Sequence, residues 1–462
     1  MLPCALAALL VGEPACALGI GCAAHLRAPA HFAASGRRRP PLAALPLPDE
    51  PTACAVRLLE DAGVEVQPHA VSELTTGFCN WVYRIELPGP AAAALGASSP
   101  VVVAKVFSPL AKLRLPADVR GAADEAAGVA GLGPRVLHRS ADGILVDFVP
   151  GITLTEAHFH RDTCAPGGGT RAAASLAAIA RRLASLHGAP ACESAHDPPV
   201  ALWLFIERML DRIAAKTGPE TPRAERVVLP GGVRVGDVAA EVDRMRARCD
   251  ALSLPAVACG HGDLKPSNVM AHDGEAVDAP TPPGAPADDD SFLFIDFELS
   301  GTHYRGYDLF KLFRTSDAFR AENLRLFLST YLDESTRVGG GGEGGAGSAA
   351  GGARGAGGID ADVDGCEALP DSAELDELVA ETRACEPLTW LEAAVFFFFA
   401  IAEYPSEAYR WEALATQRWE RYLQTAPMVD AEGDAAQALL AARARRYAGD
   451  GLKDAAERLR GG

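Results

Sequence analysis

Two different periods of apolar residues divide this chain. Between Val56 and Pro150 the pattern is mostly that of strands, and the run Val101-Val102-Val103-Ala104-Lys105-Val106-Phe107 is apolar apart from one lysine. Trp81-Val82-Tyr83-Arg84-Ile85 is β-rich, and Arg135-Val136-Leu137 with Ile144 to Val149 predicts a hairpin. Val56 to Ala62 predicts a short helix, Val64-Glu65-Val66 a strand, and the stretch around Asp124-Glu125-Ala126-Ala127 a helix ended by Gly131-Leu132-Gly133-Pro134. Past Pro150-Gly151 the spacing changes to three and four. Leu176, Ile179, Leu183 and Leu186 form one helical stripe, with Arg181 and Arg182 expected on its solvated side. Leu202 to Ile206 opens a second helix, and Val238, Val242, Met245, Cys249 and Leu252 form a third stripe.

These patterns predict an α+β, bilobal molecule. Residues 1–52 form an extension, 53–150 a small antiparallel-sheet lobe, 151–425 a larger, mainly helical lobe and 426–462 a helical tail. Two insertions lack any packing signal. Residues 273–290 are rich in proline and end in aspartates, and 339–358 are almost all Gly and Ala, so both are expected to be mobile surface loops. The glycine run has no following Lys-Ser/Thr and no preceding strand, so it is not a nucleotide loop.

Composition narrows the classes of function. At 462 residues with 48% hydrophobic residues the chain can bury two cores. A formal charge of −18 argues against nucleic acid or an anionic membrane as the main partner. Eleven scattered cysteines with no Cys-x-x-Cys pair suit neither a disulfide framework nor a zinc site, and point to a reducing, cytoplasmic setting. Residues 1–50 are poor in acids and carry Arg37-Arg38-Arg39, like an organelle transit segment; Ala5 to Leu18 is too short and interrupted to span a bilayer. A disordered extension or an overlong gene start accounts for this segment equally well.

The chemistry sits where the pattern is broken. A lysine inside a buried strand is costly unless paired or bound to phosphate, which singles out Lys105. Glu125 is the first candidate to pair with it, and a solvated helix carboxylate is the competing reading. Leu74 to Asn80, one strand earlier, is the candidate phosphate-covering loop, with Asn80 at its end. The stretch Gly260-His261-Gly262-Asp263-Leu264-Lys265-Pro266-Ser267-Asn268, followed by Phe294-Ile295-Asp296-Phe297-Glu298, suits phosphoryl transfer. Asp263 would receive or orient a hydroxyl proton, while Asn268 and Asp296 supply hard oxygens that suit Mg²⁺. Either segment alone reads as an ordinary turn or strand end. Their order, with Val269-Met270 and Leu293-Phe294-Ile295 as two short strands around the loop, favours the chemical reading.

In that order, Val101 to Phe107, Gly131 to Leu137, Phe148-Val149-Pro150-Gly151, Leu202-Trp203-Leu204, His261 to Asn268, Ile295 to Glu298 and Gly301-Thr302-His303-Tyr304-Arg305-Gly306-Tyr307-Asp308 resemble the choline/ethanolamine kinases, which share the protein-kinase-like fold of the aminoglycoside phosphotransferases. The likeness spans about Val71 to Leu423, and the Phe-Val-Pro-Gly and Leu-Trp-Leu stretches are more similar to ethanolamine kinases. It implies ATP and Mg²⁺ as cofactors, Asp263 as base, Asn268 and Asp296 on magnesium, Lys105 on ATP, Glu298 facing an amino-alcohol acceptor, and Asp308 bracing the loop. A homodimer is an open alternative to a single chain.

The chain departs from the family at the head-group pocket. Lys311-Leu312-Phe313-Arg314-Thr315 stands where relatives carry Asn-His-Phe and a glutamate, with Asp317 nearby as a replacement carboxylate. Phe396 to Phe399 stands where relatives carry two tryptophans, and phenylalanine offers a cation a weaker face. Ethanolamine kinase is therefore the first expectation. The alternatives are a choline kinase or a kinase of another small hydroxyl compound, and a silent nucleotide-binding relative, against which intact Asp263, Asn268, Asp296 and Lys105 count.

Overall fold

The protein is described from a computed structural model over residues 51–65, 71–76, 80–159, 169–189, 200–216, 228–272, 291–314, 321–339 and 372–460. The extension at 1–50, the tip of the candidate phosphate loop at 77–79, nearly all of both insertions, Thr315 and Asp317 lie outside these residues.

The first lobe opens with α1 (Pro51–Asp61), followed by β1 (Val71–Thr76), β2 (Asn80–Glu86), α2 (Gly89–Ala94), β3 (Val101–Phe107), α3 (Pro109–Arg114), α4 (Ala122–Val129), β4 (Val136–Arg139) and β5 (Gly143–Asp147). The five strands form one antiparallel sheet in the order β1-β2-β3-β5-β4. In β3 the two-residue period sends Val102, Ala104 and Val106 into the core with Leu58 and Leu59 of α1. Lys105 therefore points to the opposite face, towards the cleft. The strand expected at Val64 to Val66 is not formed at Val64. Gly63 takes φ +78° and the Val64 N–H donates to the Leu59 carbonyl, so this residue closes α1 as a glycine C-cap and buries its side chain there.

The chain then forms β6 (Gly151–Thr153), α5 (Glu156–Phe159), α6 (Gly169–His187), α7 (Ala201–Ala215), β7 (Val228–Leu229), β8 (Val233–Arg234), α8 (Val235–Ala251), β9 (Ala256–Gly260), β10 (Val269–His272), β11 (Phe292–Phe294), β12 (Gly301–Tyr304) and α9 (Arg305–Lys311). It ends with α10 (Ala321–Gly339), α11 (Ala373–Ala384), α12 (Glu386–Glu403), α13 (Glu412–Thr425) and α14 (Asp434–Arg460). Antiparallel pairing of β10 with both β6 and β11, and of β12 with β9, brackets the loop 261–268 between two short ribbons.

The expected helical stripes are core. Leu176, Ile179, Leu183 and Leu186 are buried beside α10, and Val238, Val242, Met245, Cys249 and Leu252 pack with α7 and α12. Arg182 does not lie on a solvated face. Its guanidinium donates to the carbonyls of Phe292, at 3.1 Å, and Gly131, tying α6 to β11 and the end of α4. The stretch Ala373–Glu403 is long and apolar enough to cross a membrane by composition, yet 78% of its most apolar window is buried inside the protein, where α12 is the central helix of the larger core.

Phe398 has no exposure and packs against Trp419 at 6.0 Å. Phe398→Ala should cost about 3–5 kcal/mol of stability, from lost burial and the cavity left behind. Urea denaturation midpoints would measure it.

Candidate active site

The loop is shaped by one carboxylate. Asp308, fully buried near the start of α9, accepts from the His261 N–H at 2.6 Å, the Gly262 N–H at 2.9 Å and His187 Nε2 at 3.2 Å. Burial pushes its pKa up, but the His187 hydrogen bond and the nearby imidazoles outweigh that and bring it down to about 2. Gly262 takes φ +77°, and a Cβ there would run into the Leu299 carbonyl and the His303 ring, so the turn needs glycine. Burial also lowers the pKa of His261. The neutral ring carries its proton on Nε2, which donates to the Ile295 carbonyl at 3.0 Å, while Nδ1 accepts the Asp263 N–H at 3.2 Å. One imidazole thus ties the 261–268 loop to the segment after β11.

Asp263 leaves this turn facing two lysines. Oδ2 meets Lys265 Nζ at 2.9 Å and Oδ1 meets Lys311 Nζ at 2.9 Å. Burial alone would raise its pKa; the lysines win and hold the carboxyl well below the usual range. Lys311 is itself buried, and its ammonium also donates to the Gly262 carbonyl at 3.1 Å, the Tyr307 hydroxyl at 3.1 Å and Glu392 Oε2 at 3.2 Å. Asn268 turns its Nδ2 to the Asp263 carbonyl at 2.9 Å, leaving the amide oxygen on its other side.

Asp296 stands just past β11 with φ 68° and ψ 56°, a left-handed conformation that costs a non-glycine residue on the order of 1–2 kcal/mol. That turn aims its carboxylate at the first lobe, where Oδ1 meets Lys105 Nζ at 2.6 Å. Burial raises the Asp296 pKa, and Lys105 and Lys265 outweigh it to leave it below the ordinary value. Lys105 shows the mirror case. Burial pulls it down, while Asp124, Asp296 and Glu298 carry it above the ordinary lysine value.

The partner of Lys105 on α4 is Asp124, at 3.6 Å, and not Glu125. One residue along a helix is a rotation of about 100°. Asp124 shares the buried face with Ala127, three residues on, whereas Glu125 points outward and pairs with Arg139 at 3.1 Å. Glu298, expected to face an acceptor, has partners within the chain: its Oε1 meets Arg114 Nη2 at 2.6 Å and its Oε2 accepts from Asn80 Nδ2 at 2.7 Å. Burial still raises its pKa, against the pull of Arg114. The Asn80 bond turns its Nδ2 towards Glu298.

Asp296, the Asn268 amide oxygen and Asp263 offer hard oxygen donors, and no group of three or more His, Cys, Asp or Glu suited to a metal occurs among the described residues. A site with few protein oxygens, completed by phosphate oxygens and water, fits magnesium with a nucleotide. Lys105, Asp296, Asp263 and Asn268 lie together at the junction of the sheet lobe and the helical lobe. The sequence reading missed Arg114, Asp124, Lys311 and Glu392 as members of this cluster. Glu392 is a charge inside an otherwise apolar stretch of α12, the same mismatch that singles out Lys105, whereas Lys311 shares α9 with Arg305 and Asp308.

An antiparallel sheet lobe on a helical lobe, with these groups at the junction, defines a kinase-like phosphotransferase. The profile of the family described as Choline/ethanolamine kinase matches residues 71–423, and the chain belongs to that family. Among solved structures, Plasmodium vivax ethanolamine kinase is similar at 14% identity and TM-score 0.54, over 81% of this chain and 86% of that one. Choline kinase from Cryptosporidium parvum matches at 12% identity and TM-score 0.49 over 78% and 92%. A choline/ethanolamine kinase family protein from Mesorhizobium loti matches at 18% and 0.49 over 85% and 97%. No curated protein matches the chain. Membership implies ATP as phosphoryl donor and a small amino alcohol as acceptor.

Because the folded pKa of Asp308 lies below the ordinary 3.8, its contribution to stability is complete above about pH 4 and lost as the pH falls through about 2. Near neutral pH, Asp308→Asn should be less stable than the wild type by on the order of 2 kcal/mol or more. Denaturation midpoints of the two proteins should converge on acidification over that window.

Proposed function

We propose that the protein transfers the γ-phosphoryl group of ATP to the hydroxyl of ethanolamine, in preference to choline. The observation that carries this is the state of the aromatic faces of Tyr307, Phe396 and Trp390. Lys311 Nζ lies 5.1 Å from the Tyr307 ring centroid and Arg114 lies 5.3 Å from that of Phe396. Trp390 has Arg314 and Arg418 at 5.1 and 5.2 Å. A trimethylammonium has no N–H donor and depends on such faces, each of which already carries a cation of the chain. A primary ammonium needs a carboxylate. Glu392, whose Oε2 reaches Lys311 at 3.2 Å beside Asp263, is the one we assign in place of Glu298.

In this reading Asp263, kept ionised by its two lysines, accepts the hydrogen bond of the acceptor hydroxyl and orients it for in-line attack. Lys265, half exposed and next to Asp263, is placed to follow the transferred group. Lys105 exchanges Asp296 for a nucleotide phosphate, and Asp124 holds its ammonium in place during the exchange. Asp296 and Asn268 hold Mg²⁺, which when bound neutralises charge on the phosphates. A second reading, an acceptor other than an amine, draws on Lys311 and Arg114, which put positive charge where an ammonium head would sit.

Asp263→Ala should lower kcat on the order of 10²-fold or more with ATP binding little changed, since its role is made in the transition state. Asp296→Ala should weaken Mg-ATP binding as well as turnover. Unchanged turnover in both would refute the assignment. ATP consumption with ethanolamine and choline side by side should give the higher kcat/KM for ethanolamine, and Glu392→Gln should raise the KM for the amine while leaving the KM for ATP nearly unaltered. Equal or faster use of choline would overturn the argument from the aromatic faces.

A further inference from the structure

We propose that Arg314 and Arg418, set around Trp390 one helical turn beyond the Lys311–Glu392 contact, form a binding site for an oxyanion of the phosphate class. Arg314 follows Lys311 by three residues and donates from Nη1 to the carbonyl of Thr389 at 2.7 Å; Thr389 precedes Glu392 by three residues on α12. Arg418, on α13, approaches the same indole and makes one weak contact, to the Gln417 Oε1 at 3.2 Å.

What distinguishes this pair is the lack of a counterion. Cations near the site otherwise have carboxylates: Lys105 has Asp296, Lys311 has Asp263 and Glu392, Arg114 has Glu298. Arg314 and Arg418 make no ion pair among the described residues, and the Nε–H of each is buried with no acceptor. Among the described residues Glu392 is engaged with Lys311, and Glu386 lies beside the Trp390 side chain, Arg383 and Arg421 without an ion pair to Arg314 or Arg418. Burial, then repulsion from Arg314 and Arg421, lowers the Arg418 pKa to about 10, with no acid opposing it. An unsatisfied buried donor is destabilising, and two guanidiniums sharing one ring repel each other as well. A tetrahedral or planar oxyanion with several acceptor oxygens is the ligand class that complements guanidinium forks. The cost of keeping both arginines unpaired is thus the signature of a site built for an added anion.

The site is independent of which amino alcohol the protein uses, because it is read by binding rather than by turnover. The test is thermal denaturation of the full chain in graded inorganic phosphate, against chloride at matched ionic strength. Phosphate should raise the wild-type Tm by about 2 °C or more at saturation. Arg314→Gln/Arg418→Gln should lose that shift, and in chloride should be no less stable than the wild type, because it removes like charges that lack a partner. Lys265→Gln, which alters the cleft beside Asp263, should keep the shift and so separate this site from phosphate bound in the nucleotide cleft. Arg418→Gln alone serves if the double variant does not fold, and should reduce the shift. Repeating the titration with O-phosphoethanolamine distinguishes the source of the anion, read as the part of the shift that Arg314→Gln/Arg418→Gln abolishes, because the product of the proposed reaction also binds in the cleft. A larger abolished part than with phosphate at equal concentration assigns the site to a phosphate carried on an organic ligand, and an equal one assigns it to free phosphate. No shift beyond chloride in the wild type, or a full shift in the variants, would overturn the proposal.

Discussion

A single buried carboxylate holds the active-site loop in register with the rest of the protein. Asp308 accepts the consecutive N–H groups of His261 and Gly262, and those two bonds set the turn from which Asp263 projects. Backbone N–H groups without acceptors in a dry interior would each cost about as much as a lost hydrogen bond. The loop therefore has one low-energy path, and Gly262 permits it by taking a conformation in which a side chain would collide with Leu299 and His303. His261 extends the constraint to Ile295, so the residue that aims Asp263 also spaces it from Asp296. The geometry of the chemistry is set by groups that never meet a substrate.

A second constraint follows from burying so many charges at one junction. The protein is strongly acidic overall, yet at the cleft each buried carboxylate is matched by a cation: Asp296 by Lys105, Asp263 by Lys265 and Lys311, Glu298 by Arg114. Two of these pairs cross between the lobes. Lys105 of β3 reaches Asp296, and both Arg114 of α3 and Asn80 of β2 reach Glu298. Breaking a buried pair costs several kcal/mol because a naked charge remains. In the function proposed above, Lys105 would exchange a carboxylate for a nucleotide phosphate and Asp296 would meet the metal, whereas Glu298 keeps its bonds to Arg114 and Asn80 across the lobes.

The lobes, the strand carrying Lys105 and the loop carrying Asp263 were legible because each rests on local pattern: a period of two, a period near 3.6, and a motif of fixed spacing. The element at Val64 misled because an apolar pair flanking a charge looks like a strand, while the glycine before it makes a helix cap. Choosing Glu125 over Asp124 failed for a reason of angle. Both residues are acidic and adjacent, and only the packing of Ala127 tells which side of α4 faces the cleft. The partnership of Glu298 with Arg114 lay beyond local pattern altogether, since 184 residues separate them and nothing in either stretch names the other. Glu392 was within reach. The rule that a lone charge in an apolar run must have a partner applies to α12 as directly as to β3, whereas Lys311 shares α9 with Arg305 and Asp308.

That rule, carried to its end, also separates the two kinds of cation around the acceptor side. Lys311 and Arg114 each sit over an aromatic ring and complete their bonding with a carboxylate, so their burial is compensated by the fold itself. Arg314 and Arg418 sit over Trp390 at almost the same distances, but beyond the ring face each has only one neutral acceptor, the Thr389 carbonyl and the Gln417 side-chain oxygen. A cation–π contact is worth about 0.5–2 kcal/mol, less than a hydrogen-bonded carboxylate supplies to a half-buried guanidinium. A chain that pairs its charges elsewhere in the cleft, and leaves these two unpaired one turn away, has placed the missing negative charge outside itself.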